Sequence, residues 1–230
     1  MRSKLISLFA ILFLLCGCTE DGAEKKQTQE QNQNHPDTKI ITTDKIEDIE
    51  AEFERADENT LVVFDCDGVL TTISWDRAKS NRQTILVNKK MPQLVDELQQ
   101  REIKTVVLTA LSAKASKKLQ NPIKWRIETL KSLGYHFEKS FPSLENCWLP
   151  MPNNQPDSAY DQGVICCGRT RKDDSLKAFL GYASCHPSKI IFIDDSIRNI
   201  QHVEAFCKER RVVFVGIEYT EEKKLMERGE

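Results

Sequence analysis

Apolar residues along this chain follow two recurring patterns. Short runs rich in β-branched and aromatic residues alternate with longer stretches whose apolar positions recur every three or four residues. The short runs are Leu61 to Phe64, Lys104 to Thr109, Lys189 to Asp195 and Val212 to Val215, and they read as buried strands. The longer stretches read as helices. Residues 44–57 carry Ile46, Ile49 and Phe53 behind a candidate cap at Asp44. Residues 92–101 turn Leu94, Val95 and Leu98 inward behind Pro92. Ser112 can cap a helix running to about Leu119, and residues 122–133 open on Pro122 and stop at Gly134. Lys172 to Leu180 and Ile197 to Arg210 complete the set. Strands that alternate with helices predict an α/β fold built on a mainly parallel sheet.

Two stretches interrupt the alternation. Residues 141–170 hold Pro142, Pro150, Pro152 and Pro156, with a turn-rich gap at Asn153 to Asp157 and apolar pieces on either side. They predict a small β-hairpin or flap inserted into the domain. At the N-terminus, Arg2 and Lys4 precede an apolar run, Leu5 to Leu15, too short for a comfortable membrane span. The run ends in Leu15-Cys16-Gly17-Cys18, which resembles a bacterial lipobox. That resemblance makes residues 1–17 a signal peptide and Cys18 the lipidated residue; an ordinary cleaved signal peptide is the alternative. Thr19, in place of Asp, then favours the outer membrane. Residues 18–39 are almost wholly polar and read as a flexible tether, leaving 40–230 as the folded domain with its insert at about 141–170.

Composition narrows the function. The chain has 230 residues, 40% hydrophobic and 30% charged, enough for one domain with a real core. Its net charge of -2, with no basic block, gives no footprint for nucleic acid. Cys66, Cys147, Cys166, Cys167, Cys185 and Cys207 read mostly as core residues, with room for one disulfide in an oxidising compartment.

The candidate chemistry sits at strand ends. The first run breaks into Asp65-Cys66-Asp67-Gly68. Carboxylates at i and i+2 leave a strand on the same side, and Gly68 lets the chain turn just after them. Two carboxylates at one place suit a nucleophile with an acid/base partner, and they attract a hard cation such as Mg²⁺. The second run ends in Thr109 and the third in Asp194-Asp195. In a parallel sheet these ends converge on one edge, where ligands bind. Each has a plainer reading: a strand running into an Asx-Gly turn, Thr109 capping the next helix, Asp195 as the N-cap of the helix from Ile197. Trp125, Trp148 and Tyr160 fit either a pocket lining or ordinary packing. His136 is given no role.

Taken in order, DxDG at 65–68, the strand-end hydroxyl of Thr109, the basic Lys172 ahead of a helix and the acidic pair in IIFIDDSIRNI resemble the four motifs of the haloacid dehalogenase (HAD) superfamily of phosphohydrolases. DQGVICCG, then Lys172, LKAFL and IFIDD resemble a bacterial subfamily of HAD-like secreted proteins and lipoproteins. The resemblance spans roughly residues 44–217. It implies a Rossmann-like three-layer α/β/α sandwich and a Mg²⁺-dependent phosphatase. Asp65 would take the phosphoryl group. Asp67 would protonate the leaving oxygen and then activate water. Thr109, Ala110 and Lys172 would hold the phosphate. Asp65, Asp194, Asp195 and the carbonyl of Asp67 would surround the cation. Arg169, Arg171 and Lys177 compete with Lys172 for the third motif. The substrate would be a small phosphorylated compound met outside the cytoplasm, at the periplasmic or outer-membrane face of a Gram-negative bacterium. The rival reading is a lipoprotein that uses the same scaffold to bind a ligand or a protein without turnover.

Overall fold

The computed structural model describes residues 37–76, 81–151 and 157–228. The signal segment, Cys18, nearly all of the tether and the Asn153 to Pro156 gap lie outside the described residues. In chain order the elements are β1 (Thr38–Thr43), α1 (Ile46–Glu54), β2 (Thr60–Phe64), β3 (Thr71–Asp76), β4 (Asn81–Leu86), α2 (Met91–Gln100), β5 (Lys104–Thr109), α3 (Pro122–Ser132), β6 (Cys147–Trp148), β7 (Ala159–Asp161), β8 (Val164–Cys166), α4 (Lys172–Tyr182), β9 (Lys189–Asp194), α5 (Ile197–Arg210), β10 (Val213–Tyr219) and α6 (Glu221–Arg228). A short 3-10 turn spans Phe137–Ser140.

Eight strands form one sheet in the order β1-β10-β9-β2-β5-β8-β7-β6. The first six run parallel, and β7 and β6 close the far edge antiparallel. The expected α/β fold with a mainly parallel sheet is therefore the fold observed. The central strand β2 is buried at every position. Its side chains alternate between the faces, so both faces need cover. Val62 and Phe64 pack with Ile49 of α1, Leu94 and Leu98 of α2 and Ile127 of α3. Leu61 and Val63 pack with Leu176 and Phe179 of α4 and Val203 of α5. Helices thus cover both faces of the sheet. Fully burying one such side chain contributes roughly 1.5–3 kcal/mol, and burial on both faces is why β2 reads as an unbroken apolar run.

Parallel pairing puts the C-terminal ends of β1, β2, β5, β9 and β10 on one edge. The chain enters at the other: Thr38 opens β1 opposite Phe214, and Thr43 closes it opposite Tyr219. β1 also moves the start of the domain two residues into the segment read as tether.

Residues 141–170 hold the expected β-hairpin, β7–β8, joined by Gln162 and Gly163. They are not an insert standing off the domain; β8 pairs in parallel with β5, and β7 and β6 extend the same sheet. The element outside the sheet is β3–β4, an antiparallel hairpin of its own that begins six residues after Asp65. Its sequence, TTISWD and NRQTIL, is too polar and too exposed to show as a buried run; Ile73 is 61% exposed. The helix expected from Ser112 to Leu119 is absent, and a turn closes there through Ser116 N to Leu119 O at 2.8 Å. Lys114 to Lys118 are all exposed, so no apolar face rewards so short a helix. α1 starts at Ile46 rather than behind an Asp44 cap: the Thr43 hydroxyl accepts from Lys45 N at 3.0 Å, while Asp44 pairs with Lys224.

Candidate functional site

Register brings the predicted carboxylates together. Phe64 lies opposite Ile193, and Asp65 N continues the ladder to the Ile193 carbonyl at 2.8 Å, so Asp65 and Asp194 leave adjacent strands side by side. Both are buried. Between them sits Lys172, the first residue of α4, also buried. Its Nζ donates to Asp65 Oδ1 and Asp194 Oδ2, each at 2.7 Å. The other candidate cations go elsewhere. Arg171 pairs with Asp173 at 2.7 Å, Arg169 is 92% exposed, and Lys177 lines a cavity with Phe206 and Arg210.

Burying ions costs several kcal/mol each unless their hydrogen bonds are met. They are largely met here. Asp194 Oδ1 accepts from Ser196 N at 2.9 Å and from Asn199 Nδ2 at 3.0 Å, and Asp65 Oδ1 accepts from Cys66 N at 2.7 Å. Burial disfavours the Lys172 charge, but Asp65 and Asp194 outweigh it and hold the ammonium above its ordinary range. Burial pushes the Asp65 carboxyl upward; Lys172 opposes the shift and Asp194 reinforces it. Burial, and then Asp194, likewise push up Asp195. Cys66 is pushed up to about 12, by burial more than by its acidic neighbours, which leaves its thiol inert.

Asp65, Asp194 and Asp195 each offer an oxygen within 4.8 Å of the others. Three carboxylates face one ammonium, so negative charge is in excess. An oxygen-only donor set of this kind fits a hard divalent cation. Asp195 does not cap α5, whose N-cap is Ser196. Its carboxylate lies against Gly68 instead: a Cβ there would stand 3.0 Å from Asp195 Cγ, and the glycine has φ +88.

The Asp67 carboxylate takes no part in that set. It faces Arg126 of α3, whose Nη1 and Nη2 donate to Asp67 Oδ1 and Oδ2 at 2.9 and 2.7 Å. The Arg126 side chain is 5% exposed and that of Asp67 64%. Arg126 was not among the expected site residues. Its signal was there: it follows Ile123 by three positions and precedes Leu130 by four, so it lies on the inward stripe of α3. A cation on a buried face needs a partner.

Thr109 is fully buried, and its hydroxyl accepts from Leu111 N at 3.3 Å, shaping the loop after β5 rather than capping a helix. Ala110 is exposed on the same edge. Tyr160 packs on Phe179 in the core, while Trp148, 48% exposed, lines a groove of about 400 Å³ with Asn121 and Ile123. Trp125 is 39% exposed, and the Arg126 guanidinium lies 5.1 Å from its ring. All six described cysteines are free. Among the described residues, no helix is long and apolar enough to cross a membrane.

Fold and site together define an α/β protein with a carboxylate–lysine cluster at the C-terminal edge of a parallel sheet. The chain belongs to the family described as "Protein of unknown function (DUF2608)", whose model matches residues 73–228. Thr109, Arg126, Lys172 and Asp194 lie within the match, and Asp65 and Asp67 just before it. A Chlamydia pneumoniae protein named "Putative outer membrane protein" is 28% identical over 221 residues, 80% of this chain and 79% of its own length. A Chlamydia muridarum protein of the same name is 31% identical over 98 residues, 43% of this chain and 35% of its own length. Among solved structures, a hypothetical protein from Xanthomonas campestris is 17% identical with a TM-score of 0.39, over 71% of this chain and 66% of that one. The 3-deoxy-D-manno-octulosonate 8-phosphate phosphatase of Moraxella catarrhalis is 15% identical with a TM-score of 0.33, over 66% and 67%. Both likenesses are too distant to assign chemistry.

Proposed function

We propose that this protein is a Mg²⁺-dependent phosphatase of the HAD type, acting on a small phosphorylated compound in the bacterial envelope. The observation that carries the reading is Lys172 Nζ, shared at 2.7 Å between the carboxylates of two adjacent strand ends. A phosphate dianion cannot approach bare carboxylates, and phosphoryl transfer is mainly positioning and charge neutralisation. Asp65, Asp194 and Asp195 would hold Mg²⁺, which would neutralise the carboxylates and the phosphate. Lys172 keeps Asp65 in place, and among the described residues no hydrogen bond occupies Asp65 Oδ2. In this reading Oδ2 attacks phosphorus, the ester P–O bond breaks, and Asp67, protonated on an oxygen released from Arg126, gives that proton to the leaving alkoxide. Asp67 then takes a proton from the water that hydrolyses the aspartyl-phosphate, which frees Asp65 and inorganic phosphate. Thr109 and Ala110 stand on the same edge, and in this reading they would hydrogen-bond the phosphoryl oxygens.

The names of the chlamydial relatives support an envelope location, and the lipobox-like Cys18 would supply the anchor. The test is residues 37–230 assayed on an aryl phosphate with and without Mg²⁺. Asp65→Asn, which keeps the shape but loses the nucleophile, is expected to abolish turnover with the fold intact. Equal turnover in Asp65→Asn and wild type would refute Asp65 as the nucleophile, and no turnover in wild type would leave a non-catalytic binding protein on this scaffold.

A further inference from the structure

The C-terminal helix α6 lies across the site edge of the sheet, beyond the residues the proposed chemistry uses. It follows β10 through Thr220, whose N and Oγ1 donate to the Thr43 carbonyl at 2.9 and 3.2 Å. Its first two residues then reach both sides of the base of the β3–β4 hairpin. Asn88, two residues past β4, donates to Glu221 at 3.0 and 3.2 Å. Thr72 of β3 donates its hydroxyl to Glu222 Oε1. Lys223 Nζ donates to the Asp195 carbonyl at 2.8 Å. Around Gly68 the pieces meet: a Cβ there would stand 3.0 Å from both Asp195 Oδ2 and Glu222 Oε2.

The hairpin starts at the site. Thr71 is bridged to Asp67, and Gly68 N donates to the Thr71 carbonyl at 2.8 Å. A lone two-stranded hairpin is marginal in water. Among the described residues this one pairs only with itself and leaves Ile73 largely exposed, so its position depends on what grips its base. The grip comes from Leu70 and Val87 buried in the core, from Thr71 N and Oγ1 donating to the Cys66 carbonyl at 2.9 and 3.3 Å, from Tyr135 OH to the Leu70 carbonyl at 3.3 Å, and from the two α6 carboxylates. A helix joined to β3, β4 and the Asp195 loop at once ties the height of the hairpin to the carboxylate cluster.

We propose that α6 is a positioning element of the site: Glu221 and Glu222 clasp the base of the β3–β4 hairpin, and so set how substrate is admitted beside Asp65. The kinetic consequence rests on the phosphatase reading; the mechanical one does not. The experiment is hydrogen exchange on wild type, Glu222→Ala, Glu222→Gln and Thr72→Val, with steady-state kinetics on an aryl phosphate in Mg²⁺. In Glu222→Ala and Thr72→Val, amides of residues 71–76 and 81–86 are expected to exchange about tenfold faster, the factor that one lost hydrogen bond implies. Amides of β2 and β9 should keep their wild-type rates. Glu222→Gln still accepts from Thr72 and should restore protection. KM should rise about tenfold in the two loosened variants with kcat held within about twofold, a loss of capture rather than of chemistry. The proposal is overturned if hairpin exchange is unchanged in both variants, if the whole sheet loosens with the hairpin, or if Gln behaves as Ala. If wild type shows no turnover, the phosphatase reading fails by itself and the exchange rates alone decide the clasp.

Discussion

Arg126 shows how much one side chain can depend on its surroundings. It is a buried cation paired with a largely exposed carboxylate, and its Nε has no partner among the described residues. Its bidentate grip fixes the rotamer of Asp67, the residue read as acid and base, through two parallel N–H···O bonds. Arg126→Ala is expected to lower kcat for the aryl phosphate about tenfold, a fraction of the roughly 10²–10⁴-fold that acid–base catalysis supplies. In an Asp67→Ala background the same substitution should cost almost nothing, because its effect runs through Asp67. The double-mutant cycle decides: additive losses would show that Arg126 acts on stability and not on Asp67. Arg126→Lys offers one donor group where two are needed and should not restore the wild-type rate.

At the scale of elements, the packing of α5 on β10 turns on one glycine. Gly216 lies mid-strand opposite Phe192, and a Cβ there would collide with Ile200 Cγ2 of α5 and crowd the Phe214 ring. Only hydrogen lets the helix come this close. Gly216→Ala is expected to lower unfolding stability by roughly 1–3 kcal/mol, the usual cost of overpacking. Ile200→Ala alone opens a cavity and should cost roughly 2–5 kcal/mol, but in the Gly216→Ala background it should cost less, because it also removes the clash. Urea unfolding of the four proteins measures this; strictly additive values would mean that the strand, not the helix, absorbs the added methyl. The same glycine bears on how far β10 can be read from sequence. The apolar run Val212 to Val215 ends where Gly216 begins, yet the strand continues to Tyr219 because β9 and β1 pair with it on both sides.

For the whole molecule, the excess negative charge at the strand edge makes cation binding and folding one equilibrium. Asp65, Asp194 and Asp195 converge only in the native state, so Mg²⁺ should bind there and not to the unfolded chain. At 100 times its dissociation constant it should add about 2.7 kcal/mol, which for a chain of this size is roughly 5–10 °C in Tm. Asp194→Asn should lose most of that shift. The comparison is of the Mg²⁺-induced change in Tm, not of Tm itself, because the substitution also removes a charge partner of Lys172. Equal shifts in the two proteins would mean that these carboxylates do not form the cation site.

What the sequence determined by itself is what periodicity and local chemistry can carry. β2, β5 and β9 are buried on both faces and stand out as apolar runs; α5 runs from Ile197 to Arg210 as its spacing predicts; the acidic strand ends mark a candidate site, and the structure places Asp65, Asp194 and Asp195 side by side. Lys172 could be told from Arg169, Arg171 and Lys177 only in three dimensions, because all four precede or lie within the same helix and only one is aimed at the carboxylates. Tertiary structure alone decided which strands are edge strands, that 147–166 completes the sheet while 71–86 leaves it, and that Asp67 turns to Arg126. It also decided that α6, which carries no apolar run, returns to the hairpin through Glu221 and Glu222. These are contacts between polar groups far apart in sequence. Hydrophobic patterning says which face of an element is buried, but not which polar partner, 59 or 150 residues away, will satisfy a charge or a hydroxyl left on that face.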